Sequence, residues 1–125
     1  MKIEILFPEF CNLFGDISNM KYLRKCLPNE EYIETSIEDE PAFLNEDIQF
    51  IYMGAMTERT QEKVIKKLMP YKEKINELIE KGVVFLCTGN ALEIFGKYIE
   101  NEDGSKIDAL RNIWCICKKR YDAQT

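Results

Sequence analysis

The stretch VVFLC, residues 83–87, is an uninterrupted apolar run that ends at the turn Thr88-Gly89-Asn90. An apolar run of this length without polar alternation is typical of a strand in a parallel sheet that is covered on both faces. The glycine-containing turn opens a helix, which we place from Ala91 to about Ile99. A buried strand that leads through a tight turn into a helix predicts an α/β fold.

The segments before and after this stretch continue the alternation of strands and helices. We predict further strands over residues 2–7, 32–37 and 47–53, and a fifth strand that begins in 106–110. A predicted helix over 19–27 is capped by Ser18. A second predicted helical segment runs from Thr57 or Thr60 to Gly82, and Pro70 divides it. This order predicts an α/β fold with a three-layer, flavodoxin-like parallel sheet and helices on both faces, C-terminally incomplete.

Composition limits the class of protein. The chain has 125 residues, of which 46% are hydrophobic and 31% charged, which suits one globular domain. No apolar run is long enough to span a membrane, so we expect a cytoplasmic protein. The net charge of −5 argues against nucleic-acid binding. The chain has five cysteines and no C-x-x-C pair, which indicates reduced thiols. Because histidine is also absent, we expect no metal site, and we expect no cofactor.

Candidate functional residues follow three predicted strands, where ligands of open parallel sheets collect. The three segments are residues 11–16, 54–59 and 87–90. The last has the pattern of a nucleophile elbow, in which a reactive side chain sits on a strained strand-to-helix turn. A buried cysteine followed by a helix cap explains the same pattern without catalysis. Asp16 in the first segment is interpreted as a turn or cap residue rather than a magnesium ligand.

Three motifs carry a family resemblance when they are taken together. NLFGDISN at residues 12–19, MGAMTERTQ at 53–61 and CTGNALEIFGKYIENEDGSKI at 87–107 resemble class I glutamine amidotransferases of the cobyric acid synthase type. Within that family the chain looks nearest to the GatD subunit of lipid II isoglutaminyl synthase. The resemblance covers residues 1–110, and we treat residues 111–125 as a divergent tail.

The resemblance implies an activity and a set of site residues. It implies glutamine hydrolysis for ammonia transfer, in cell-wall precursor or cobyric acid amidation, beside a Mur-ligase-like synthase subunit. The glycine-rich loop after the third strand corresponds to Gly54 and Ala55, which with Gly89 would form the oxyanion and substrate-binding site. An ungapped match places Thr88 at the nucleophile position, and a shift of one residue places Cys87 there. Both alternatives stay open at this point.

The absence of histidine decides what this chain is expected to do alone. The family activates its cysteine with a histidine, and this sequence has none. We therefore expect a truncated protein without glutaminase activity, a pseudoenzyme. The alternative is a non-catalytic, flavodoxin-like interaction module. We also hypothesise that the tail is frameshifted, because residues 111–124, written in A/T-rich codons and read one base later, can spell GIFGVYAKRDMMHK.

Overall fold

The computed structural model describes residues 1–113 and the backbone of residues 116–118. Within them lie strands β1 (Lys2–Leu6), β2 (Glu31–Thr35), β3 (Phe50–Met53), β4 (Val84–Cys87), β5 (Tyr98–Glu100), β6 (Lys106–Asp108) and β7 (Ile116–Lys118), with helices α1 (Ile17–Cys26), α2 (Glu58–Leu68) and α3 (Lys72–Glu80). Short 3₁₀ helices cover Ala42–Leu44, Met69–Tyr71 and Gly89–Phe95. Apart from residues 111–113 and 116–118, the proposed frameshifted tail lies outside the described residues.

The first four strands form one parallel sheet in the order β2-β1-β3-β4. Its centre is apolar, since Ile3 and Ile5 of β1 and Ile51 of β3 are almost completely buried. Such strands are stable only when helices cover the sheet, because apolar side chains project from both faces. The fold is therefore α/β with a flavodoxin-like parallel sheet, as the sequence predicts.

Helices cover the two faces of this sheet unequally. Helix α1 packs Met20 against Ile5 and Tyr52 and forms a small cluster on one face. The larger core lies on the other face, where α2, α3 and the 3₁₀ helix Gly89–Phe95 pack against the sheet. The three predicted layers are thus present.

The two helices after β3 follow the predicted signals. Thr57 caps α2, since its side chain accepts a hydrogen bond from the Thr60 backbone N–H at 3.2 Å. Pro70 lies in the 3₁₀ helix between α2 and α3, because a proline cannot donate an interior helical hydrogen bond. Gly82 follows α3 with φ +91°, the left-handed conformation that ends many helices. For α1, the predicted Ser18 cap is wrong, because Asp16 occupies the cap position.

Beyond β4, the predicted helix from Ala91 to Ile99 is wrong, whereas the strand predicted to begin in residues 106–110 is present as β6. A 3₁₀ helix ends at Phe95, and β5 then pairs antiparallel with β6 in a separate sheet, with β7 on its other side. The turn between β5 and β6 is tight: Asn101 N–H donates to the Ser105 carbonyl at 2.7 Å, and Gly104 has φ +89°. Such a turn joins antiparallel neighbours and leaves no chain length for a crossover.

Strand β4 is the other departure from the prediction. It was expected to be buried on both faces, but it lies at the edge of the parallel sheet in the described part of the chain. Val84 and Leu86, on the face that α1 covers farther along the sheet, are 52% and 42% exposed. Apolar composition is a property of the strand, whereas its position in the sheet depends on which other strands pair with it.

None of the helices in the described residues combines the length and the apolarity that crossing a bilayer requires.

Candidate functional site

The three candidate loops converge at the carboxyl edge of the parallel sheet. The loop after β1 contacts the loop after β3, since Leu13 N–H donates to the Ala55 carbonyl at 3.1 Å. The loop after β3 is bound in turn by Asn90, whose side-chain amide accepts from Met56 N–H at 3.0 Å and donates to the Met56 carbonyl at 2.8 Å. The structure therefore brings together all three segments that the sequence singled out.

Gly54 permits the close approach of the first two loops. A Cβ atom at this position would collide with the Cys11 carbonyl oxygen and lie 2.7 Å from the Asp16 Cβ. Any side chain would thus force the loop after β1 away from the sheet. The predicted oxyanion residue has a packing role that is visible in the structure. Ala55 is buried beside it.

Thr88 belongs to a hydrogen-bonded cluster centred on Asp16. The Thr88 hydroxyl donates to Asp16 Oδ1 at 2.8 Å, and Phe14 N–H donates to Oδ2 at 3.2 Å. The Tyr52 hydroxyl donates to the Asp16 carbonyl at 3.2 Å, and it lies 3.4 Å from Thr88 Oγ1. Asn19 Nδ2 donates to the same Tyr52 hydroxyl at 3.1 Å. Thr88 thus connects β4 to the loop after β1.

Cys87 points to the opposite face of the sheet from Thr88, as adjacent residues of a strand do. Its thiol lines an apolar cavity of about 260 Å³ together with Phe85, Phe95 and Leu92. Burial raises the pKa of the Cys87 thiol to about 12. Because only the thiolate is a strong nucleophile, this environment suppresses the reactivity of Cys87.

Gly89 occupies the strained position of the strand-to-helix turn. Its φ is +57°, whereas Thr88 is extended with φ −106° and ψ 147°. A Cβ atom at Gly89 would lie 2.7 Å from the Ala55 Cβ, so the close contact between the two loops favours glycine here as well. The left-handed residue of this turn therefore has no side chain, while the two nucleophile candidates precede it in extended conformation.

The polar residues that hold the site together are not recognisable from the sequence motifs alone. In the sequence, Asn90 stands in the turn after the apolar run, and Tyr52 stands within the strand predicted over residues 47–53. Gln61 is buried in α2, and its Nε2 donates to the Asn90 carbonyl at 3.0 Å and to Glu93 Oε2 at 2.9 Å. A glutamine on the apolar side of an amphipathic helix was the available signal, because a buried amide requires polar partners.

The site offers no metal-binding arrangement. Among residues 1–113, the structure shows no group of three or more Asp, Glu, Cys or His side chains that could hold a metal ion. The Asp16 carboxylate instead accepts hydrogen bonds from Thr88 and from Phe14 N–H. The geometry provides a set of loops in mutual contact, a half-buried thiol at Cys87, and a hydroxyl at Thr88 that donates a hydrogen bond to a carboxylate.

Comparison of the chain with protein-family models and with curated protein sequences gives no match. The likeness to glutamine amidotransferases thus depends on the three quoted motifs alone and stays a prediction.

Proposed function

We propose that this chain is a class I glutamine amidotransferase-like domain of the cobyric acid synthase type, nearest to the GatD kind, that does not hydrolyse glutamine by itself. The observation that carries the proposal is the environment of Cys87, whose thiol has a pKa of about 12 in a chain without histidine. The convergence of the loops after β1, β3 and β4 supports the likeness to the family, because these loops contain the three motifs.

The chemistry of the thiol explains the expected inactivity. Glutamine hydrolysis through a cysteine begins with attack of the thiolate on the side-chain carbonyl carbon, followed by release of ammonia. With a pKa of about 12, the thiolate fraction at pH 7.5 is on the order of 1 in 30,000. Thr88 is a poorer candidate, since its hydroxyl donates to the Asp16 carboxylate, and a carboxylate is a weaker base than the imidazole that the family uses.

The proposed role therefore requires a second component. We place the chain in the cytoplasm beside a Mur-ligase-like synthase subunit, with glutamine as the substrate of the intact amidotransferase. A histidine supplied by a partner chain or by a longer product would have to reach Cys87 from the side of the apolar cavity.

Ammonia release from glutamine tests the proposal directly. The 125-residue protein should release ammonia no faster than its Cys87→Ala variant, with Cys26→Ala as the control because Cys26 is exposed. Glutamine-dependent ammonia release that Cys87→Ala abolishes and Cys26→Ala preserves would disprove the inactivity. Release that Thr88→Ala abolishes instead would identify the other nucleophile position.

A second candidate function is a non-catalytic interaction module, and the exposure of β4 favours it. An apolar strand at the edge of a sheet is a site where another chain can add a strand. A stable complex with a Mur-ligase-like protein that lacks glutaminase activity would support this candidate over an enzyme.

A further inference from the structure

Among the strands that the structure describes, β4 pairs with β3 alone, and this pairing determines which backbone groups of β4 face its other edge. Val84 N–H donates to the Gln49 carbonyl and Thr88 N–H to the Met53 carbonyl, both at 3.1 Å. In a parallel ladder, alternate residues bond to the same neighbour, so Leu86 also faces β3. Phe85 and Cys87 consequently direct their N–H and C=O groups away from β3, toward the open edge.

The side chains at this edge are apolar on both faces of the sheet. Val84 and Leu86 are about half exposed on the α1 side. On the other side, Phe85 and Cys87 border the 260 Å³ apolar cavity. A strand edge whose outward backbone groups pair with no other described strand, and whose side chains are apolar on both faces, matches an added strand that is itself apolar on both faces.

The edge also lacks the features that keep sheet edges apart. Natural edge strands are commonly protected by lysine, proline or inward-pointing charge. Residues 82–92, which include β4 and both of its flanks, contain no proline and no charged side chain. The net charge of −5 would make two copies of the chain repel each other, but none of that charge lies within this segment.

We propose that β4 is a self-association strand, through which two copies of this chain join their sheets edge to edge. Antiparallel pairing about a two-fold axis at Leu86 places Phe85 opposite Cys87 of the second copy, and Cys87 opposite Phe85. Each of these pairs exchanges both backbone hydrogen bonds, so all the outward groups of Phe85 and Cys87 are used. The result is a continuous eight-stranded sheet.

This register also explains why the occupant is a second copy. Leu86 meets Leu86 across the axis as a non-hydrogen-bonded pair, with Val84 of each copy beside it on the same face. The exposed apolar strip of one chain is thereby covered by the same strip of the other, as a two-fold interface requires. The other symmetric registers are poorer. Pairing centred on Phe85 would use the Val83 N–H, which already donates to the Leu78 carbonyl. Pairing centred on Cys87 would use Gly89, whose φ of +57° is not that of an extended strand.

Sedimentation velocity of the intact chain tests the association. The interface is short, so we expect a monomer–dimer equilibrium that becomes visible over roughly 1–500 µM. Leu86→Lys should remove the dimer, while Tyr22→Lys, at a 71% exposed position on α1, should leave it unchanged. Far-UV circular dichroism establishes that both variants fold. A chain that stays monomeric throughout this range, or a dimer that Leu86→Lys preserves, would overturn the proposal.

A cross-link tests the register independently of any loss of folding. Facing residues of a non-hydrogen-bonded antiparallel pair have Cα atoms about 4.5 Å apart, which suits a disulfide. In a Cys26→Ser background, Leu86→Cys should form an intermolecular disulfide under mild oxidation at least tenfold faster than Tyr22→Cys. Equal rates for the two variants would refute pairing about Leu86. The inference holds whether or not the chain acts on glutamine.

Discussion

Glu4 offers a quantitative test of how the first strand is attached to the segment after β2. It is the central residue of β1, and its carboxylate is fully buried. The carboxylate accepts hydrogen bonds from Thr35 Oγ1 at 2.5 Å, from Ala42 N–H at 2.8 Å and from Phe43 N–H at 2.9 Å. The change to examine is Glu4→Gln, which conserves shape and removes one acceptor oxygen.

The expected cost follows from counting these partners. The glutamine oxygen can replace Oε1 and accept from Phe43 N–H, and its amide nitrogen can donate to the Thr35 hydroxyl, which rotates to accept. Ala42 N–H then faces a second donor and loses its acceptor. A buried donor without a partner costs about 1–3 kcal/mol, so Glu4→Gln should destabilise the fold by that amount.

The pH dependence has a definite sign. Burial raises the pKa of the Glu4 carboxyl above its ordinary value of 4.5, and the charge of nearby Glu46 raises it further. The hydrogen bonds from Thr35, Ala42 and Phe43 lower this pKa, but burial has the larger effect. The folded chain therefore holds the Glu4 proton at pH values where the unfolded chain has lost it. The resulting stabilisation is complete below the unfolded pKa and is lost as pH rises through the folded pKa.

Urea denaturation followed by circular dichroism at several pH values between about 4 and 8 measures both effects. The stability difference between the natural chain and Glu4→Gln should be largest at the acidic end and should shrink as pH rises. Glu34→Gln, at an exposed position on β2, is the control and should change stability by less than about 0.5 kcal/mol. A difference that grows with pH, or no difference at acidic pH, would refute the reasoning.

Three further predictions concern the loops at the carboxyl edge of the sheet. Thr88→Val should destabilise the fold by about 1–2 kcal/mol, because the Asp16 carboxylate loses a hydrogen-bond donor. Thr88→Ser keeps the hydroxyl and should be nearly neutral. Urea denaturation measures the free energy of unfolding of both variants. Gly54→Ala should cost about 1–3 kcal/mol, since its Cβ would collide with the loop after β1; an unchanged unfolding midpoint would contradict this. Cys26 should react with iodoacetamide at neutral pH at least tenfold faster than Cys87, which peptide mapping by mass spectrometry quantifies.

The strained turn after β4 bears on the proposed function. A nucleophile elbow exposes its reactive side chain by holding that residue in a strained conformation. Here the left-handed residue is Gly89, while Cys87 faces the apolar cavity and Thr88 faces Asp16. The turn has the form of an elbow and lacks a reactive group at its strained residue, in agreement with a domain that does not act alone.

Local patterns in the sequence were sufficient for strands β1 to β4 and for helices α2 and α3. The apolar runs of β1, β3 and β4, the cap at Thr57, the break at Pro70 and the end at Gly82 each depend on neighbouring residues only. These effects are determined by backbone and side-chain properties within a few positions, so they are predictable without knowing the fold. The parallel sheet follows from their order, and so does the meeting of three loops at its carboxyl edge.

Only the tertiary structure decided what depends on distant residues. The exposure of β4 depends on which strands pair with it, and the pKa of Cys87 depends on the cavity that surrounds its thiol. The bond between Thr88 and Asp16 joins residues 72 positions apart. The sequence by itself determined that this chain has no histidine and forms an α/β sheet with a cysteine at the end of a strand. The packing determined that this cysteine lies half-buried beside an apolar cavity, where desolvation raises the pKa of its thiol, because desolvation is a property of the folded environment.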